Sequence, residues 1–292
     1  MKKEFANLSR NYVALVGSTF KAWAADNGMR MGAALAYYAL FSLAPILIIT
    51  LTVAGSFFGD AATREAVFGR VGSYAGPQGE QAVRYLMGAV ASFKSGFWGA
   101  GLSAVVLFLA ATSLVSELQS GLNDIWRVEP PQRPWLALAR RRALSLGFVF
   151  GLGLLLLLAL LMSALVSAFA RYLTLIVPWP EAALHAMDFT LVLGLTTLLF
   201  ALVYKYLPDA RIAWRDVWTG AGVTAALLTL GNLGIGIWLG KNDLSTTSGV
   251  AGSLILVLFW AFLCAQLFYL GAEFTHAHAV ARAAAAARRG GP

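Results

Sequence analysis

The stretch VAGSLILVLFWAFLCAQLFYLGA, residues 250–272, contains no charged side chain and decides the fold class. About 20 helical residues cover the ~30 Å hydrocarbon core of a bilayer, so this stretch is long enough to cross a membrane. It lacks the period-2 alternation of barrel strands, and lipid offers the backbone no hydrogen-bond partners outside a helix. The stretch is therefore predicted to be a transmembrane helix.

Five further apolar stretches have the same character, and together they predict six spans. They cover residues 32–58, 97–116, 144–170, 187–206 and 217–239. Of all residues, 59% are hydrophobic and only 12% are charged, which agrees with a polytopic membrane protein. The predicted architecture is all-α, with residues 1–292 forming one integral membrane domain.

The distribution of Lys and Arg predicts the orientation. Sixteen of the 22 basic residues lie at the N-terminus, in the second connection, around the fourth connection and in the tail at 273–292, and six lie on the opposite face. Cytoplasmic segments are enriched in Lys and Arg, so both termini are predicted to be cytoplasmic. Four of those six lie in the long loop at 60–96, where charge guides translocation less strictly. The net charge of +8 thus points to a membrane surface rather than to nucleic acid.

Neither a secretory signal nor a cysteine framework is expected. The first apolar run begins beyond residue 30 and is too long for a signal-peptide core, so it is predicted to remain as an anchor. Cys264 is the only cysteine and falls within the sixth span, which excludes a disulfide framework and a thiolate metal site. It is expected to be a buried, inert side chain.

Two helices are predicted outside the spans. Residues 1–30 place apolar side chains at helical spacing, as in a helix lying on the inner leaflet. In the first outside loop, a second apolar stripe follows a break at Gly76 and Pro77. That stripe is typical of a helix packed on the bundle or on the headgroups, and a lid over a cavity is the less favoured alternative.

Three motifs carry a family resemblance. The first span contains AALAYYALFSLAP at 33–45, the second runs into ATSLVSELQSGLNDIW at 111–126, and the chain closes with GVAGSLILVLFWAFLCAQLFYLGAEF at 249–274. The sequence resembles the YihY/BrkB family of bacterial inner-membrane proteins over about residues 15–280. The resemblance implies six spans, an inner-membrane location and a link to virulence. It also brings a ribonuclease label that the family has carried.

The residues do not support hydrolysis of a phosphodiester. Such chemistry needs clustered carboxylates and histidines, or a paired acid and base, and this chain has three histidines. His276 and His278 lie two apart on a helix and point in different directions. Glu273 and His276 have the spacing of a metal pair, but the second copy that such sites use is absent. With neither a phosphate-binding loop nor a GxSxG elbow, no enzyme, cofactor or metal is predicted.

Ionisable residues are predicted to gather at the cytoplasmic ends of the spans, and none lies near a span centre, which argues against a central proton relay. This inner polar layer is either a gate or headgroup-binding vestibule, or a set of helix-end salt bridges beside an aromatic belt of Trp126, Trp135, Trp214 and Trp218. Glu117 and Glu273 would need partners there, such as Lys205 or Arg30. The layer comprises Arg30, Glu117, Asn123, Asp124, Arg127, Lys205, Asp209, Arg211 and Glu273.

A second candidate motif lies in the first span, where Tyr37, Tyr38 and Ser42 precede Pro45. Proline removes a helix hydrogen bond, so a bend is expected there. Two functions remain open: a transporter or flippase-like path for a lipid or amphipathic envelope component, and a non-transporting scaffold. Membrane lipids are the expected partners, with a second copy of the chain or another membrane protein as further candidates.

Overall fold

The computed structural model describes residues 2–92, 97–128, 181–241 and 249–289. In these ranges the chain forms seven α-helices and no strands, which confirms the all-helical fold class. The predicted third span, 144–170, and Trp135 lie outside the described residues. The helices are α1 (Lys2–Ala25), α2 (Gly28–Phe58), α3 (Asp60–Ser92), α4 (Phe97–Ile125), α5 (Glu181–Tyr206), α6 (Trp214–Lys241) and α7 (Gly249–Arg289).

Helix α7 is the centre of the bundle. It contains 41 residues and is therefore ~60 Å long at 1.5 Å per residue. It contacts α1, α2, α3, α4 and α6. The predicted sixth span and most of the predicted tail thus form one continuous helix, which carries the charged C-terminal part beyond the apolar part.

The main core lies where α4, α5, α6 and α7 meet. Leu122, Tyr204 and Val217 are completely buried there, and Tyr269 is 1% exposed. Large apolar side chains on other faces of the same helices are exposed, for example Ile255 at 68%. Lipid is as apolar as these side chains, so a membrane-embedded bundle can present them outward.

The first 30 residues form a separate helix, as the sequence predicts. Helix α1 ends at Ala25, and Asn27 adopts a left-handed conformation with φ of 57°, which turns the chain into α2. Trp23 packs against the core, whereas Val16 and Phe20 are about half exposed. Those exposed side chains suit a helix at a membrane surface.

The sequence predicts a bend in the first span at Pro45 and a break in the first outside loop at Gly76 and Pro77. Helix α2 is continuous through Pro45. Residues Asp60–Ser92 are helical throughout, but α3 is not straight: the Glu80 side chain lies beside Gly72, and the Arg84 guanidinium lies 4.1 Å from the Phe68 ring centroid, so the segment reverses between these residues. A straight helix would separate Phe68 and Arg84 by ~24 Å. The reversal agrees with the break predicted at residues 76–77, and the segment packs on α2, α6 and α7, as expected for a helix packed on the bundle.

The six-span topology remains a prediction. Two helices of the described residues are apolar and long enough to cross a membrane, within Phe189–Tyr206 and Ile255–Ala287. The first, second and fifth predicted spans fall in α2, α4 and α6, which contain 31, 29 and 28 residues. At 1.5 Å per residue each exceeds the ~30 Å of a hydrocarbon core.

Candidate functional site

The predicted inner polar layer assembles at one end of the bundle. The α1–α2 turn, the end of α4, the α5–α6 turn and the charged part of α7 meet there through side-chain contacts. The contacts divide the layer into two parts that the sequence does not distinguish. One part ties the α5–α6 turn and α6 to their neighbours, and the other lies between α7, α2 and α4.

Asn123 of α4 holds the α5–α6 turn. Its Nδ2 donates to Asp209 Oδ2 over 3.1 Å, and its Oδ1 accepts from the Asp209 backbone N–H over 2.8 Å. Gln119, one helical turn earlier, donates to the same carboxylate oxygen over 3.1 Å. Because side chain and backbone of Asp209 are both bound, the position of the turn against α4 is fixed.

Lys205 and Arg211 belong to the same turn but do not enter the bundle. Lys205 Nζ donates to the Ile212 carbonyl and lies 5.6 Å from the centroid of the Trp214 ring. Arg211 is exposed. Lys205 was an expected partner of Glu117 and Glu273, but its contact is the Ile212 carbonyl, and the charged groups that lie near Glu273 are Asp26 and Arg127.

A buried carboxylate that the sequence did not single out joins α6 to α7. Asp216 is 2% exposed, and it accepts from His278 Nδ1 over 3.1 Å and from Arg282 Nη2 over 2.6 Å. A buried carboxylate needs such partners. The signal in the sequence was a His and an Arg four residues apart on the charged part of α7. We call Asn123, Asp209, Asp216, His278 and Arg282 the paired cluster.

The second part begins with two acidic side chains that lie close together. Glu273, 2% exposed, lies near Asp26 of the α1–α2 turn. Arg127, in a left-handed conformation with φ of 54°, pairs with Asp26 over 2.7 Å. One carboxyl oxygen of Glu273, Oε1, has no partner in the described residues.

Two more α7 side chains leave buried polar atoms without partners in the described part of the chain. The Tyr269 hydroxyl is one, and its ring lies against Gly121 of α4. The other is Gln266 Oε1, on a side chain that lies against Gly32 and donates to the Met29 carbonyl over 3.3 Å. A Cβ at either glycine would overlap these side chains.

These three side chains share one face of α7. Residues three and seven apart project in nearly the same direction from a helix. Their polar atoms therefore form a stripe that extends ~10 Å along the axis, at 1.5 Å per residue. The stripe faces α2, α4 and the α1–α2 turn. We call Gln266, Tyr269 and Glu273 the seam.

Charged residues of the predicted layer lie beside the seam. Glu117, just beyond the predicted second span, has a pKa raised by burial and by the nearby Asp124 carboxylate, and the positive charge of Arg30 opposes that shift. Of the expected partners of Glu117, Arg30 is thus the one close enough to act on it. Arg30 and Asp124 are exposed at the surface of the bundle.

The first-span motif is separate from both clusters. The Ser42 hydroxyl donates to the Tyr38 carbonyl one turn earlier over 2.8 Å. Tyr37 is 55% exposed, and its ring packs on the Phe41 ring at 4.9 Å between centroids with an angle of 59° between the ring planes. The side chain of Pro45 lies outside the described side chains.

The residues weighed as a metal pair have other contacts. His276 packs its ring on Trp126 at 4.9 Å between centroids, and Glu273 lies near Asp26. No group of three or more His, Cys, Asp or Glu side chains suited to a metal ion occurs among the described residues. Cys264 is partly buried in α7 with a free thiol.

An all-helical bundle with outward apolar side chains and a polar end is the class of an integral membrane protein, and comparison with known proteins supports that class. Three similar proteins are each named UPF0761 membrane protein. The one from Verminephrobacter eiseniae is 28% identical over 91% of this chain and 62% of its own length. Those from Chromobacterium violaceum and Tolumonas auensis are 29% and 26% identical, covering 85% and 82% of this chain and 58% and 77% of their own lengths.

The particular family follows from a match to its sequence model. The model described as Virulence factor BrkB matches residues 19–291, so the chain belongs to this family, which confirms the resemblance. The chain spans about three-fifths of the length of the first two relatives. The names of the family and of these relatives carry no enzymatic activity. No solved structure matches the chain.

Proposed function

We propose that this chain is a six-span protein of the bacterial inner membrane, with cytoplasmic termini, that provides a path for a lipid or another amphipathic envelope component. The path follows the seam between α7, α2 and α4. Apolar parts of such a molecule need no charged lining, whereas its polar headgroup needs hydrogen-bond partners.

The observation that carries the proposal is the row of buried, unpartnered polar atoms. Tyr269 is 1% and Glu273 2% exposed, yet each keeps a polar atom without a partner in the described residues, as does Gln266. Each such atom costs ~1–3 kcal/mol if it stays unpaired, and native proteins rarely keep several. A headgroup that moves along the seam would supply the missing partners.

The seam is closed in this conformation, since Tyr269 fills the space beside Gly121. Passage of a lipid therefore requires α7 to separate from α2 and α4. The paired cluster stays intact while the seam opens, because it fixes the α5–α6 turn on α4 and joins α6 to α7. The bundle thus has one fixed side, at the paired cluster, and one side that can open, at the seam.

A scaffold that moves no lipid is the second candidate, and the paired cluster favours it. Asp209 and Asp216 bind residues from other helices, which suits a rigid body that holds partner proteins. The two candidates differ in whether the protein accelerates movement of lipid between leaflets.

A vesicle assay separates the two candidates. Fluorescent phospholipid is placed in both leaflets of liposomes containing the purified protein, and a membrane-impermeant quencher reports the outer-leaflet fraction over time. We expect wild type to expose the inner-leaflet pool and Gln266→Leu to slow this several-fold. Gln81→Leu, an exposed site on α3, is the matched control. If the same fraction of lipid is quenched in wild-type vesicles and in protein-free vesicles, the lipid path is rejected and the scaffold is the remaining function.

A further inference from the structure

The outward face of the α5–α6 turn carries aromatic and basic side chains together. Tyr206, Trp214 and Trp218 are 62%, 42% and 47% exposed. Their rings form a row, with centroids 6.0 Å apart between the first two and 6.5 Å between the last two. Lys205 lies over the middle ring. This face points away from the seam, on the outside of the bundle.

The acids of this segment neutralise only part of the positive charge of this face. Asp216 is buried and paired with Arg282 of α7, whereas Asp209 is exposed and is bound by neutral amide groups of α4, which do not cancel the charge of a carboxylate. Arg211 and Arg215 are exposed and form no ion pair with an acid in the described residues. With Lys205, three cations lie around the aromatic row beside one exposed carboxylate, so the face has an excess of positive charge.

An apolar surface continues from the aromatic row along α6. Trp218, Gly222, Ala226 and Leu230 follow one another at intervals of four residues, and Leu230 is 65% exposed. The small residues leave a shallow depression between two bulky ones, and the space beside Gly222 is open. From Trp218 to Leu230 the helix rises ~18 Å, which is comparable to an extended acyl chain.

We propose that this face binds an anionic glycerophospholipid of the inner leaflet, with its phosphate between Arg211, Arg215 and Lys205. The acyl chains lie on α6 over Gly222 and Ala226, and the tryptophans lie at the level of the glycerol backbone, where such rings are favoured. Charge complementarity selects the occupant, because basic side chains at a membrane surface attract anionic lipid. We call Lys205, Arg211, Arg215, Trp214 and Trp218 the lipid-binding face.

This inference rests on the proposed membrane orientation but not on lipid movement along the seam. The lipid bound here is a resident one on the outside of the bundle, whereas the molecule proposed for the seam passes between helices. A variant that removes the lipid-binding face can therefore still be tested for lipid movement along the seam, and a seam variant can still be tested for lipid binding at this face.

The test measures binding of defined lipids by native mass spectrometry. Delipidated protein in detergent is titrated with phosphatidylglycerol and, separately, with phosphatidylcholine. We expect wild type to bind phosphatidylglycerol at least tenfold more tightly, and Arg211→Gln/Arg215→Gln to lose most of that preference, since each basic residue near the surface contributes about 1 kcal/mol, or roughly a fivefold factor. Arg64→Gln, an exposed arginine on α3, should keep the preference.

Two further measurements distinguish this lipid site from a site for free anions and from the seam. Inorganic phosphate at millimolar concentration should not displace phosphatidylglycerol, because the acyl contacts are part of the site; displacement would show a free-anion site instead. Gln266→Leu should retain phosphatidylglycerol binding even where lipid movement is lost. Equal binding of the two lipids by wild type, or an unchanged preference in the double variant with its thermal unfolding intact, would overturn the proposal.

Discussion

In the paired cluster, Asp209 and Asp216 each accept two hydrogen bonds from side chains of other helices. In the seam, at the same end of the bundle, the side chains of Gln266, Tyr269 and Glu273 each keep a buried polar atom without a partner in the described residues. Paired polar groups stabilise one arrangement, whereas buried unsatisfied groups lower stability. On the paired side, one atom of this kind occurs: Gln119, which donates to Asp209, keeps its Oε1 without a partner in the described residues. The inner polar layer therefore contains a part that stabilises the fold, the paired cluster, and a part that does not, the seam. The presence of the seam needs a reason other than stability.

The largest expected effect comes from breaking the paired cluster at Asp216. Asp216→Ala removes the acceptor of His278 and Arg282 and leaves the Arg282 guanidinium without its partner, although both side chains partly reach solvent. We expect the free energy of unfolding to fall by ~2–3 kcal/mol, measured by denaturant unfolding in detergent with tryptophan fluorescence. Thr219→Ala, at an exposed site on the same helix, should change it little. A loss of less than about 0.5 kcal/mol would mean that the cluster does not hold α6 on α7.

A second test targets the α5–α6 turn. Asn123→Ala removes one bond to the Asp209 side chain and one to its backbone, and the expected loss is ~1–3 kcal/mol. Limited proteolysis should then cleave the turn faster, because its backbone is no longer bound to α4. Ser120→Ala, an exposed site on α4, is the control. Unchanged cleavage would show that the turn is held by its other contacts.

A smaller effect is expected at the carboxyl pair of the seam. Glu273→Gln replaces a buried carboxyl group that lies near Asp26 by a neutral amide of similar size. We expect stability within ~1 kcal/mol of wild type, together with slower lipid movement in vesicles. Glu65→Gln, at an exposed site on α3, should leave both quantities unchanged. A loss of several kcal/mol for Glu273→Gln would place this residue with the paired cluster instead.

The sequence predicted much of the fold because its signals are local. Apolar length located the helices: the predicted fourth span, 187–206, lies within Glu181–Tyr206 and ends at the same residue. Positive charges and helix ends placed Asn123, Asp209 and Glu273 in one layer, and the structure joins Asn123 to Asp209. Gly76 and Pro77 signalled the reversal of α3. Each of these features depends on composition or on neighbours in the chain.

The pairing of individual residues could not be predicted in the same way. Asp216 meets Arg282 across 66 positions, and this depends on the rotation of α6 against α7. Asp26 was not among the predicted layer, yet it lies near Glu273, where Lys205 was expected. The same limit explains why the paired cluster and the seam could not be told apart in the sequence. Helical spacing shows which residues share one face of a helix, but it does not show which residues of another helix lie opposite that face.

The smallest expected change in stability gives the most direct test of the central claim, that the seam is kept for passage and not for stability. Tyr269→Phe removes a buried hydroxyl that has no partner in the described residues, and Tyr85→Phe, an exposed site on α3, is the control. Stability and lipid movement should be measured on the same preparations. We predict that Tyr269→Phe leaves the free energy of unfolding unchanged or raises it by up to ~1 kcal/mol, while lipid movement falls several-fold. Lost stability with unchanged lipid movement would contradict the account.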